Sequence, residues 1–203
     1  MLLAKKTGED FPLIPAGTHI ARCSWVVDIG TQKTSWKGAE KWLRKVLLGF
    51  ELPDELMTDG RPFFISNRYT LSLGSKAILR KRLEAWRGAT FTEQELEGFD
   101  LFKLAGLPCM LTVIHKTEGD KTYTNIASIS KLPKNSVCSP AVNPQATFSL
   151  EQFNPDTLKA LPEWVQKTIL QSREYQNMGK TATESENPAG DFDDDPFNDS
   201  IPF

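Results

Sequence analysis

The hydrophobic period of this chain changes once, near residue 75, and that change constrains the fold more than any other feature. Before it lie three runs of strand character. GTHIARCSWVVDIG (17–30) is rich in β-branched and aromatic residues between glycines, KWLRKVLLGFEL (41–52) runs until Pro53, and PFFISNRYTLSL (62–73) follows a polar link. TQKTSWKGAEK (31–41) is polar and carries a glycine, the composition of a loop. After the change, SKAILRKRLEAWRG (75–88) places Ile78, Leu79, Leu83 and Trp86 at helical spacing, with Ser75 as a cap and Gly88 as a left-handed stop. TEQE (92–95) is a capping-box pattern and DLFKLAG (100–106) a short helical turn. Two more strand runs, 108–116 and 121–132, flank the hairpin link TEGD.

The order is therefore β-β-β-α-β-β. Five short strands with a helix between the third and fourth predict a mainly β chain built on a closed oligonucleotide/oligosaccharide-binding (OB) barrel, whose strand 2 and 3 face binds single strands. A ferredoxin-like sheet needs a helix after its first strand, and an SH3-like barrel lacks the one seen here. This domain is expected over 1–135. Residues 136–175 form an extension with one helix, capped by Asn154 with Pro155 at its first position and continuing to about Ser172. Its Leu161, Trp164, Val165, Thr168 and Ile169 make one face, for docking on the barrel or for a partner. Residues 176–203 are Gly, Asn, Thr, Glu, Asp and Pro-rich, a composition that predicts a disordered acidic tail.

Charge follows the same division. The net charge of the 203 residues is −2, but residues 181–203 hold seven acids and no Lys or Arg, so the body is +5 and the tail −7. A mildly basic binding domain with an acidic interaction tail fits this split. No run of about 18 apolar residues occurs, and the N-terminus lacks a secretory h-region, so the expectation is a cytosolic protein.

Single-strand binding needs cations along the phosphates and flat aromatic faces for unstacked bases. KTSWKGAEKWLRK (33–45) supplies Lys33, Lys37, Lys41, Arg44 and Lys45 interleaved with Trp36 and Trp42. Trp36 is either a base platform or a plug folded back on a strand, and Trp42 points either outward or inward. Trp86 belongs to the core. Further candidates are Arg22 and Trp25 on strand 1, Arg61, Phe64, Arg68 and Tyr69 around strand 3, and Lys116, Lys121 and Tyr123 at the 4–5 hairpin. Alternation sets Phe64 and Arg68 on one face of strand 3 and Phe63 and Tyr69 on the other, so one pair at most lines a groove. The basic helix RKRLEAWR reads as a solvated outer face.

No catalytic motif, cofactor loop or metal-ligand spacing is present. The three cysteines are scattered, and Cys23 and Cys109 read as small strand hydrophobes. The expectation is a protein that is not an enzyme and needs no cofactor or metal.

The phrases VVDIGTQ (26–32), LRKRLEAWRGATFTEQE (79–95), FDLFKLAGLPCMLTVIH (99–115), YTNIASISKLPK (123–134) and LPEWVQKTILQSREY (161–175) together resemble a family of phage-encoded single-stranded DNA-binding proteins. The resemblance implies an OB-fold that coats single strands in phage replication or recombination without base preference, in the cytoplasm of a bacterial host. The ending resembles the C-terminal peptide of bacterial single-stranded DNA-binding proteins, with Asp193, Asp194 and Asp195, then Ile201, Pro202 and Phe203. Here DDDPF precedes NDSIPF, so Phe197 offers a second anchor. The implied partners are single-stranded DNA and, through the tail, replication or recombination proteins. An OB-like adaptor that binds protein without DNA affinity is the competing class.

Overall fold

The computed structural model describes residues 12–36 and 39–178, apart from the side chain of Trp36. The chain forms β1 (Gly17–Trp36), β2 (Ala39–Leu56) and β3 (Pro62–Thr70), then α1 (Ile78–Arg87), α2 (Glu93–Glu97) and a 3-10 turn (Leu101–Leu104). β4 (Pro108–Glu118) and β5 (Lys121–Ser130) follow, and β6 (Ala146–Phe148) leads into α3 (Pro155–Ala160), α4 (Glu163–Leu170) and α5 (Arg173–Asn177). The sheet order is β3-β2-β1-β4-β5, antiparallel throughout, with the short β6 parallel to β1 at Trp25–Val27. Among the described residues no ladder joins β3 to β5, so the sheet is open where the sequence predicts closure. α1 packs against both of those strands.

β1 feeds two cores. Its first third pairs β4, and two register shifts, at Cys23/Trp25 and Asp28/Gly30, bend the rest along β2. Ala21, Cys23 and Val26 enter the first core with Val46, Leu48, Phe50 and Leu52 of β2, Phe63, Ile65 and Tyr69 of β3, and Leu79, Leu83 and Trp86 of α1. The opposite face contributes Val27, Ile29 and Leu47, which are covered by Phe148, Leu150, Leu158, Leu161, Val165 and Ile169. The helical face read from the sequence thus lies on the sheet. Burial pushes the Cys23 thiol up to about 12 and the Cys109 thiol well above its ordinary value, as for inert core residues.

Three features depart from the sequence reading. The polar stretch 31–41 is a two-stranded ribbon, not a loop: β1 and β2 pair out to Trp36 and Ala39, with Lys33 Nζ 2.7 Å from Glu40 Oε1 across the strands. A ribbon wetted on both faces needs no apolar alternation, because the ladder alone satisfies its backbone. β2 also continues past Pro53, which sits in the irregularity between Leu52 and Leu56 where no ladder N–H is required. The expected long helix is two short ones, and a third follows where the helix was expected to end. Pro162 disfavours helical backbone at Leu161 (φ −79°, ψ 154°), and Ser172 starts a new helix by accepting from the Tyr175 N–H.

Local capping follows the sequence at most ends. Gly88 is left-handed at φ 70° and donates to Glu84 O, the Thr92–Glu95 box is complete, and Asn154 Oδ1 accepts from Asp156 and Thr157 N–H. Ser75 is not a cap, since α1 starts after Ala77 with no side-chain cap bond. No described helix is long and apolar enough to cross a membrane.

Polar side chains tie the extension down. Fully buried Glu51 accepts from Val142 N–H (2.7 Å), Asn143 N–H (2.8 Å) and Asn143 Nδ2 (2.6 Å). Arg22 donates to the carbonyls of Gly106 (2.6 Å), Cys138 (3.1 Å) and Ser139 (3.0 Å). Gly30, at φ +70°, lets α5 approach: a Cβ there would lie 2.5 Å from Ser172 Cβ and 2.7 Å from Leu150 Cδ1. Gly30→Ala should therefore destabilise by about 1–3 kcal/mol through left-handed strain and overpacking, read as a lowered urea midpoint.

The Arg87 guanidinium, 2.8 Å from Glu95 Oε1, and the Thr92 N–H hold the Glu95 carboxyl at about 2, below its ordinary 4.5. A depressed carboxyl stabilises above the unfolded value and loses that contribution as pH falls through the folded one. Thermal melts from pH 5 to pH 2 should show a steeper acid loss for the wild type than for Glu95→Gln.

Candidate nucleic-acid interface

The ribbon beyond the cores carries the most accessible cluster of cations and aromatics. Register pairs Lys33 with Trp42 and Thr34 with Lys41. Lys41 is exposed, and Trp42 is 41% exposed although it lies on a strand. The Arg173 guanidinium of α5 lies over the Trp42 ring, 3.9 Å from its centroid. Lys33 is exposed but engaged with Glu40. Lys45, at the ribbon base, is half-buried, and Lys37 lies outside the described residues. Trp36 closes β1 in the ladder opposite Ala39.

Arg44 has another task. Its Nη2 bonds Asp28 Oδ2 at 2.7 Å and Glu151 Oε1 at 3.1 Å, and the Asp28 bond is the largest cause of its raised pKa. Asp28 also accepts from the Gly30 and Leu150 N–H groups, so this ion pair locks the ribbon base to the turn after β6.

The second exposed group is the β4–β5 hairpin. Lys116 pairs with Tyr123 and Glu118 with Lys121, and both lysines are exposed while Tyr123 is half-buried. β4 runs antiparallel to the start of β1, so this hairpin projects from the end of the sheet opposite the ribbon.

The remaining candidates do not join either group. Trp25 and Phe64 pack on each other, ring centroids 4.4 Å apart, over Gly49, where any Cβ would collide with both. Arg68 donates to Thr168 Oγ1 at 3.2 Å and faces the Trp164 ring at 5.9 Å, under the C-terminal helices. Arg61 is turned onto Asp59 within the β2–β3 turn (2.6 Å). The Arg22 guanidinium is saturated by carbonyls. Tyr69 is a correction: it is buried in the first core with its hydroxyl pushed up to about 12 by burial, where no base reaches it. Alternation on β3 is thus resolved, with Phe63 and Tyr69 inside and Phe64 and Arg68 on the covered outer face.

The basic helix face is internally paired, Arg80 with Glu84 and Arg87 with Glu95, and Trp86 is core with its Nε1 donating to Pro108 O at 2.9 Å. Asp193, Asp194, Asp195, Phe197, Ile201, Pro202 and Phe203 lie outside the described residues. The residue that sequence reasoning missed is Arg173. Its only signal was a basic residue after a helix-capping serine, which says nothing about a partner on β2.

No protein-family model matches this chain, and no curated protein matches it.

The geometry separates structural from accessible cations. Arg44→Ala should cost about 1–2 kcal/mol, the loss of a charged hydrogen bond to a nearly buried carboxylate. Lys41→Ala should change stability by less than about 0.5 kcal/mol. Paired denaturation curves test both.

Proposed function

We propose that this chain is a non-catalytic, sequence-independent single-stranded DNA-binding protein of the phage-encoded kind, acting in DNA replication or recombination in a bacterial host. The observation that carries the reading is the exposed Trp42 ring on a basic two-stranded ribbon, opposite Lys33 in the ladder and under the Arg173 guanidinium, with Lys41 on the ribbon's other face. Cations that follow phosphates and an open aromatic face are the combination single-strand binding requires. The strand order supports an OB relationship as well. β3-β2-β1-β4-β5 is the order of a five-stranded OB barrel opened between β3 and β5, with α1 inserted between β3 and β4 and packed against both open edges.

In this reading the ribbon is the elongated loop between strands 1 and 2, and the β4–β5 hairpin with Lys116, Lys121 and Tyr123 is the loop between strands 4 and 5. A strand held by both follows the sheet from one end toward the other. The acidic ending recruits partner enzymes through Phe203 or Phe197, with Asp193, Asp194 and Asp195 steering it, and its charge competes with phosphates for the basic ribbon.

One observation favours the adaptor reading. Phe64 and Arg68, on the β3 part of the face that OB proteins offer to single strands, are engaged by Trp25 of β1 and by the C-terminal helices. Fluorescence anisotropy with labelled oligo-dT separates the two. Single-strand binding should weaken with salt at a log–log slope of about −0.7 per phosphate neutralised, and duplex of equal length should compete poorly. Salt-independent binding or equal affinity for duplex would sink the single-strand reading, and no binding would favour the adaptor.

A further inference from the structure

We propose that α5 completes the single-strand site: Arg173 is a positioning residue that holds the Trp42 indole as a shelf for one unstacked nucleobase. This rests on the single-strand reading above. Arg173 and Trp42 are both exposed, and the guanidinium carbon lies over the indole ring, 3.9 Å from its centroid. Two solvated side chains on separate elements do not hold such a stack by themselves, because each loses rotamer freedom in forming it. The backbone that carries them must be fixed first.

It is fixed from three directions. Ser172 is fully buried, donates its hydroxyl to Ile169 O at 2.6 Å and caps α5 by accepting from the Tyr175 N–H. Glu174 accepts from the Thr31 N–H at 2.6 Å and from Thr31 Oγ1 at 2.5 Å, which ties the helix to β1 at the ribbon base. Gly30 leaves the space that this approach needs. Thr31 pairs with Arg44, two residues from Trp42 along β2, so the clamp sets Arg173 over residue 42.

The arrangement has a chemical consequence. The guanidinium covers one π-face of the indole, while Trp42 as a residue remains 41% exposed. A base stacks on the open face, giving an Arg–Trp–base sandwich in which the cation also neutralises phosphate charge nearby. Lys33 faces Trp42 across the ladder and supplies a cation on that face of the ribbon, with Glu40 offsetting it, while Lys41 pairs with Thr34 on the other face. The ligand class is thus a base-bearing single strand, read by stacking and not by hydrogen bonds to base edges.

The test compares oligo-dT with an abasic strand of equal length, using the full-length protein and anisotropy at fixed salt. The wild type should prefer oligo-dT by about 5- to 150-fold, the range expected for one stacked base. Trp42→Ala and Arg173→Ala should each reduce that preference several-fold, and the double variant should fall no lower than Trp42→Ala alone. Arg173→Lys keeps the charge without the plane, so it should restore abasic binding but only part of the preference. Unchanged melting temperatures would show that these exposed substitutions leave the fold intact. If Arg173→Ala weakens dT and abasic binding equally, Arg173 is a phosphate contact and the proposal is overturned. An unchanged preference in either single variant overturns it too, while leaving single-strand binding in place. Failure of the wild type to bind oligo-dT overturns both.

Discussion

The structure depends on burying both faces of β1. A strand with one wet face would end where its alternation ends, but β1 gives Ala21, Cys23 and Val26 to one core and Val27 and Ile29 to another. The bulges at Cys23/Trp25 and Asp28/Gly30 make that possible by redirecting the strand between its β4 and β2 partners. Each fully buried Val, Leu or Ile contributes about 1.5–3 kcal/mol, so Val27, Ile29, Leu47, Val165 and Ile169 make the C-terminal helices a structural layer and not a loosely attached appendage.

That layer also decides what is left for binding. Covering the outer face of β1, β2 and β3 draws Trp25, Phe64 and Arg68 into packing and hydrogen bonds within the chain. The buried carboxylate of Glu51, paired with three N–H donors, and the Asp28–Arg44 pair secure the segments that do the covering. The exposed cations and aromatic ring of the proposed site lie on the ribbon that extends past both cores. There the backbone is satisfied by its own ladder, and side chains such as Lys41 and Trp42 are free to face solvent.

Much of the fold was legible because local chemistry and tertiary packing agree. Strand cores, the change to helical period at α1, the Gly88 stop, the Thr92–Glu95 box and the Asn154–Pro155 helix start are all short-range signals. The ribbon was not legible. Its polar residues have no buried face to set a period of two, and only pairing with the partner strand makes it a strand. The break at Leu161–Pro162 was written in the sequence, yet the continuous apolar face across it suggested one helix. For the candidate site, residue type marked a segment but could not sort its residues. Arg44 and Lys41 look alike in sequence, and only Asp28 distinguishes them.

The sequence by itself determined the order of the five long strands and α1, the Gly88, Thr92 and Asn154 caps, and the concentration of cations and tryptophans between residues 33 and 45. These depend on periodicity and on contacts within a few residues. Tertiary structure alone decided that the sheet stays open between β3 and β5, that Tyr69 is core while Phe64 and Arg68 are covered, and that Arg173 stands over Trp42. Each of these joins elements distant in sequence, and its energy comes from desolvation and geometry that no local pattern encodes.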